Sequence, residues 1–188
     1  MEILIKEHES LQTETANKTE VLNQLEDKVK DWIEDHVEKR KLWFSSDFLP
    51  ANEKMNDDQE KNIKQLRDRS RGVKDEVRVA VALNLLTEEG LPHFHRLIAQ
   101  YLGDRSFWSK WNNMWTAEED RHGAAIRDYV RDARLFSFRE VELMQFHYIE
   151  SGFNPDWDKD PYKVFVYTTL QERATQVSHK NTGKLAGH

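Results

Sequence analysis

Trp115-Thr116-Ala117-Glu118-Glu119-Asp120-Arg121-His122 is the stretch on which the reading of this chain turns. It lies inside a run of helical character from Ser106 to about Ala133. Residues three apart on a helix share a face, one above the other, so Glu119 and His122 project together. A carboxylate and an imidazole at that spacing can hold one transition-metal ion, and Glu-x-x-His supplies half of a two-metal site in four-helix carboxylate bundles. The pattern alone is weak. With 34 acidic residues and 8 histidines among 188, chance matches are common.

The segment upstream strengthens it. From about Asp75 to Leu102 the apolar residues Val77, Val79, Val81, Leu83, Leu85 and Leu86 spread over more than one helix face, as in a helix buried from several sides. Glu88 continues the Val81–Leu85 face one turn further, where a carboxylate must be exposed, paired or metal-bound. Pro92 cannot donate to the carbonyl of Glu88, so the helix is interrupted beside this acid. Either that interruption marks a functional site, or one helix ends at Gly90 and another starts at Pro92. Gly103 suits a helix end, and Asp104 or Ser106 can cap the next helix. So short a connection makes the two helices antiparallel neighbours. Glu88 stands 15 residues before Gly103 and Glu119 stands 16 after it. At 1.5 Å per residue both lie roughly 23 Å from the turn, at one height on facing helices.

The remainder reads as further helices. Residues 1–18 are polar with little pattern, whereas Thr19 to about Lys41 is amphipathic through Leu22, Leu25, Val29, Trp32, Ile33 and Val37. Leu42 to Pro50, rich in aromatics, reads as a loop tucked against the core. Residues 51–74 suggest a short outer helix ending near Gly72. Phe138 to Ser151 suggests another, broken by Gly152-Phe153-Asn154-Pro155-Asp156. Asp160 can cap and Pro161 can open a last helix through His179, with Glu172 about 12 residues in.

Few Gly and Pro residues, and no sustained alternation, favour an all-α chain forming one domain over residues 1–188. The absence of Cys excludes a disulfide framework and a cysteine nucleophile. A net charge of -6 argues against nucleic acid as the main partner. No apolar run is long enough to span a membrane. The acidic N-terminus suits neither a signal peptide nor a transit peptide, so the expected location is cytoplasmic. His93 and His95 are assigned core or surface roles, and Trp32, Trp108, Trp111 and Trp157 packing roles.

Three ordered stretches then carry a resemblance. Leu86-Thr87-Glu88-Glu89-Gly90-Leu91-Pro92, the Trp115–Gly123 segment, and Tyr167 to Thr175 with Ser178-His179-Lys180-Asn181-Thr182 resemble the soluble acyl-[acyl-carrier-protein] desaturases, as does Trp43 through Pro50. The match runs from about residue 20 onward. It implies a ferritin-like four-helix-bundle core with flanking helices around two iron ions. It puts metal ligands on Glu88, Glu119, His122 and Glu172, an oxygen-site threonine on Thr175 and an electron-entry tryptophan on Trp43. The family's fourth core helix, with a second Glu-x-x-His, has no counterpart before His188. A longer natural protein is the favoured explanation, because a face built to meet that helix would otherwise be exposed.

The implied activity is O₂-dependent introduction of a cis double bond into a fatty acyl thioester, on acyl-carrier protein or acyl-CoA, with a ferredoxin-type electron donor. The acyl tail is expected between helices near Leu97 and Phe165. Arg67, Arg69, Arg71, Lys74 and Arg78 could meet an acidic carrier, although a solvated charged face is the favoured reading of these five. A homodimer follows from the family pattern and the apolar spread of the helix from Asp75. The alternatives are a related diiron oxygenase or hydroxylase, and a scaffold homologue that has lost activity.

Overall fold

A computed structural model describes residues 2–50, 57–103, 106–155 and 160–187, with side chains described from residue 19 onward. Among these residues seven α-helices follow in order: α1 (Glu2–Lys39), α2 (Asp57–Ser70), α3 (Asp75–Glu89), α4 (Leu91–Leu102), α5 (Phe107–Ala133), α6 (Phe138–Ser151) and α7 (Pro161–Leu185). A single 3-10 turn, Ser45–Asp47, lies between α1 and α2. There is no strand among the described residues, so the all-α expectation holds.

α5 is the central post. α1, α2, α3 and α4 all pack on it, while α7 lies along α3 and α4. Two apolar clusters form, one toward each end of α5. The first joins Leu22 and Val29 of α1, Ile98 and Leu102 of α4, Trp108 of α5 and Val164 of α7, with Trp115 packed against it. The second joins Leu85, Val130, Leu135 and Val141, with Ile126 packed against it. Glu119 and His122 occupy the turns between Trp115 and Ile126. Burial at both ends thus fixes the helix whose middle carries the polar pair.

Local signals explain the helix ends. The hydroxyl of Ser106 accepts from the backbone N–H of Trp108 and so caps α5. The other candidate cap, Asp104, lies outside the described residues, as do residues 51–56 and Trp157. Asp160 caps α7 by accepting from the N–H of Tyr162, and Pro161 takes the first helical position. α5 ends on Arg134 in the left-handed region, φ 53°, with Leu135 turning back into the second cluster. The interruption after Glu88 is a clean junction: α3 stops at Glu89, Gly90 joins, and α4 starts at Leu91.

Four expectations need correction. α1 begins at Glu2, well before Thr19, because residues 2–18 contain neither Pro nor Gly to stop it. α7 likewise runs six residues past His179, to Leu185. The loop after α1 lies against α5 through Trp43 and the 3-10 turn, but not through its other aromatics: Phe44 and Phe48 are 52% and 69% exposed. Polar bonds hold it instead, from Ser45 to Asp128 at 2.5 Å and from Arg121 to the carbonyl of Trp43 at 3.1 Å. Trp32, assigned to packing, is 55% exposed.

The basic residues around α2 are partly committed to loop carbonyls. Arg67 donates to Asp132, and Arg78 donates to Ser70, Val73 and Leu135. These bonds tie the α2–α3 connection to the end of α5. The guanidinium groups of Arg67 and Arg78 thus serve the fold and are not simply solvated, which departs from the favoured reading of that run.

Candidate metal centre

α3 and α5 bring Glu88, Glu119 and His122 together as the hairpin count expects. One donor atom from each lies within 4.8 Å of the other two. The Nδ1 of His122 is 2.7 Å from Oε2 of Glu119 and 3.8 Å from Oε2 of Glu88. The Glu88 side chain is only 8% exposed. A carboxylate so enclosed needs cationic or hydrogen-bonding company. Two hard carboxylates and one imidazole form a donor set that suits a divalent first-row transition metal.

Glu172 enters from α7 and lines the same cavity of about 400 Å³, with Trp43, Thr175, Gln176 and His179. The indole Nε1 of Trp115 donates to its Oε1 at 3.3 Å. Burial, then repulsion from Glu119 and Glu88, push the Glu172 carboxyl above its ordinary range. The hydrogen bond to Glu119 raises the His122 pKa against the opposing effect of burial. Burial thus dominates the shift of Glu172, whereas the Glu119 carboxylate dominates that of His122.

Trp43 stacks on His122, with ring centroids 5.5 Å apart and planes 10° apart. Arg121 secures the stack from behind. Its guanidinium lies 5.0 Å from the Trp43 ring centroid, donates to the Trp43 carbonyl, and reaches the Glu118 carboxylate at 3.6 Å. Glu118 in turn binds Arg40 at 2.7 Å and His36 at 3.0 Å. Burial opposes its ionisation, but Arg40 and His36 prevail and hold its carboxyl below the usual range. α1 is therefore pinned to α5 directly beside the Trp43–His122 stack.

Thr175 is beside Glu172, and its hydroxyl is directed at the carbonyls of Gln171 and Glu172. Phe165 lines a second, mostly apolar groove of about 570 Å³ that reaches Glu119 past Leu25, Val29, Trp111 and Trp115. Leu97 does not line that groove. It is buried on α4, one residue and about 100° of helical turn from Ile98, which faces the first cluster. His95 bonds Thr116 at 2.7 Å, and the group of Glu88, Glu119 and His122 includes neither His93 nor His95. Sequence reasoning missed one functional neighbour: His179 lies 2.6 Å from Glu88.

Gly123 allows the close approach of α3 to α5. A Cβ there would sit 3.3 Å from Oε1 of Glu89 and 3.5 Å from Cβ of Glu88. That Glu89 oxygen accepts from both Nε and Nη2 of Arg127 and has little room to retreat. Gly123→Ala gains helix propensity of about 1 kcal/mol and loses a similar amount by moving α3. The expected outcome is near-unchanged urea stability with several-fold weaker cobalt binding, because a metal site tolerates only about 0.5 Å of displacement. Equal cobalt affinity in both proteins would show that the close approach is not needed.

The family model described as "Fatty acid desaturase" matches residues 17–188. Stearoyl-[acyl-carrier-protein] 9-desaturase, seed specific, chloroplastic, from Brassica napus is 34% identical over 177 residues, covering 90% of this chain and 44% of that protein. Acyl-[acyl-carrier-protein] desaturase 6, chloroplastic, from Oryza sativa subsp. japonica is 36% identical over 186 residues, covering 92% of this chain and 43% of that protein. The chain therefore spans about half the length of the curated relatives it matches. With a family match over nearly the whole chain, this protein belongs to the fatty acid desaturase family.

Proposed function

We propose that this chain carries ligands and the electron-entry side of an acyl-[acyl-carrier-protein] desaturase with a ferritin-like bundle. The observation that carries the reading is the convergence of Glu88, Glu119 and His122 from two helices within 4.8 Å. These residues fit a divalent ion, and Glu172 offers a carboxylate to a neighbouring one. Two irons in such a site, reduced by a ferredoxin-type donor, supply with O₂ the oxidising power to take two hydrogens from adjacent CH₂ groups. In balance, one O₂, two electrons and two protons join those two hydrogens as two waters, and a cis double bond remains.

The chain's own residues have distinct parts. Glu119 accepts a hydrogen bond from His122 when the imidazole is protonated and orients the ring. Trp43, flat against His122, gives an electron an aromatic route from the surface loop. Thr175 sits where its hydroxyl can turn from the helix carbonyls toward the cavity and hold a proton there. The apolar groove past Phe165 takes the acyl tail. The thioester head belongs to acyl-carrier protein or coenzyme A. Exposed Val79 and Leu83 on α3, 68% and 62% accessible, supply an apolar face for a homodimer.

No helix among the described residues is long and apolar enough to cross a membrane. Cobalt(II) titration followed by its visible absorption tests the metal reading. A single ion per chain is expected, bound more weakly as pH falls. The sign follows from His122: ligation needs the neutral ring, and its raised pKa extends proton competition above the ordinary histidine value of 6.5. Affinity should climb as pH rises through that region and then level off. Binding with no pH dependence would exclude His122 as a ligand.

A further inference from the structure

Ser178-His179-Lys180-Asn181-Thr182 lies on α7, and three of its five residues meet α3 while Lys180 and Asn181 are exposed. The hydroxyl of Ser178 donates to Oδ1 of Asn84 at 2.9 Å, and Nδ2 of Asn84 donates to the hydroxyl of Thr182 at 3.0 Å. Asn84 is buried, 6% exposed, and both ends of its amide are satisfied by residues one helical turn apart. It clamps α7 to α3 in a single register. One turn along α3 from Asn84 stands Glu88, and between Ser178 and Thr182 stands His179.

We propose that His179 is a positioning residue for the metal centre: it holds one oxygen of Glu88 and leaves the other for an ion. The Nε2 of His179 donates to Oε1 of Glu88 at 2.6 Å. The other oxygen, Oε2, faces His122 at 3.8 Å. The carboxylate is thus gripped on one side and open on the side of Glu119 and His122. A free carboxylate can rotate, or chelate with both oxygens, and each alternative costs the ion a defined geometry. The Asn84 clamp makes the grip dependable, because a slip of α7 by one residue would swing His179 away by about 100°.

The inference rests on the metal reading, and the test separates the two. Cobalt(II) is titrated into the full chain and into His179→Phe, His179→Asn and His179→Gln, with helix content and thermal unfolding measured in parallel. Gln places an amide donor near the position of Nε2, whereas Asn is too short to reach Glu88. His179→Phe and His179→Asn should weaken cobalt roughly 10–100-fold, the usual loss when a ligand's hydrogen-bond partner is removed. His179→Gln should recover most of it and restore the wild-type visible band. Recovery by Gln but not Asn, at similar unfolding temperatures, supports positioning. Equal weakening in all three variants, or wild-type affinity in His179→Phe, overturns it while leaving the metal reading intact. No cobalt binding by the wild type overturns both.

Discussion

Glu119→Ala is expected to abolish cobalt binding, whereas Glu172→Gln should weaken it and make the metal-free chain more stable. Glu119 is both a ligand and the hydrogen-bond partner of His122 at 2.7 Å. Its loss removes one donor and frees the imidazole to turn, so the effect should exceed the roughly 10–100-fold cost of losing an outer partner alone. Glu172 behaves differently because its difficulty is charge. Burial and the nearby carboxylates of Glu119 and Glu88 hold its pKa above the ordinary carboxylate range. An acid whose folded pKa is raised is penalised above its unfolded pKa, where the unfolded chain ionises freely. Below that pKa the group is protonated in both states and the penalty disappears. The stabilisation in Glu172→Gln should therefore grow as pH rises through the carboxylate range and vanish in acid. Near neutral pH a gain of about 2–4 °C in melting temperature is expected, the shift that ~1 kcal/mol produces in a chain of this size. Calorimetry of the metal-free variants checks it. A Glu172→Gln protein that melts lower than wild type would mean that its bond from Trp115 outweighs the crowding.

Such a gain would place this site among those that hold function at a cost in stability. Three acids are brought together where burial and their mutual repulsion oppose the ionisation of Glu172. The clusters around Trp108 and Val130 bear that cost, since they fix α5 on both sides of the site. The same arrangement explains why α5 can be long and polar in its middle.

Periodicity and caps made much of this legible from the residues alone. Phe138–Ser151 is a helix with the expected bounds, and α5 starts within a residue of its expected position. Equal counts from Gly103 brought Glu88 and Glu119 together because both arms of the hairpin are helical and the Gly90 junction loses little rise. What lay hidden was lateral register. α7 follows α5 after an intervening helix and loop, and nothing local says which of its residues will meet α3. The bond from His179 to Glu88 and the Asn84 clamp belong to that class. So does the displacement of Leu97 from the groove, since one residue of helix rotation decides which side chain lines it. The Trp43 stack depends on a loop held by scattered polar bonds, and its aromatics suggested burial that Phe44 and Phe48 do not have.

Turnover is expected only from a version of the protein that carries a second Glu-x-x-His helix against α7. The described residues offer three carboxylates and one such histidine, enough for a single divalent ion. A second ion beside Glu172 would depend on water for much of its coordination, and a water-rich iron does not share electrons with its neighbour in a defined geometry. The apolar groove at Phe165 is open along one side, and Val166, Leu170 and Val177 of α7 are 60%, 66% and 42% exposed. A further helix laid there would close the groove, dry the site and supply both missing donors together. The comparison is between the 188-residue chain and the same chain continued through a relative's second Glu-x-x-His helix. Both are loaded with iron and given a reductase, ferredoxin and an acyl-carrier-protein thioester, and unsaturated product and iron per chain are measured. The shorter form should hold one iron and form no product; the longer should hold two and turn over. Two irons and product from the 188-residue chain would show that a second copy, or residues outside those described, completes the site.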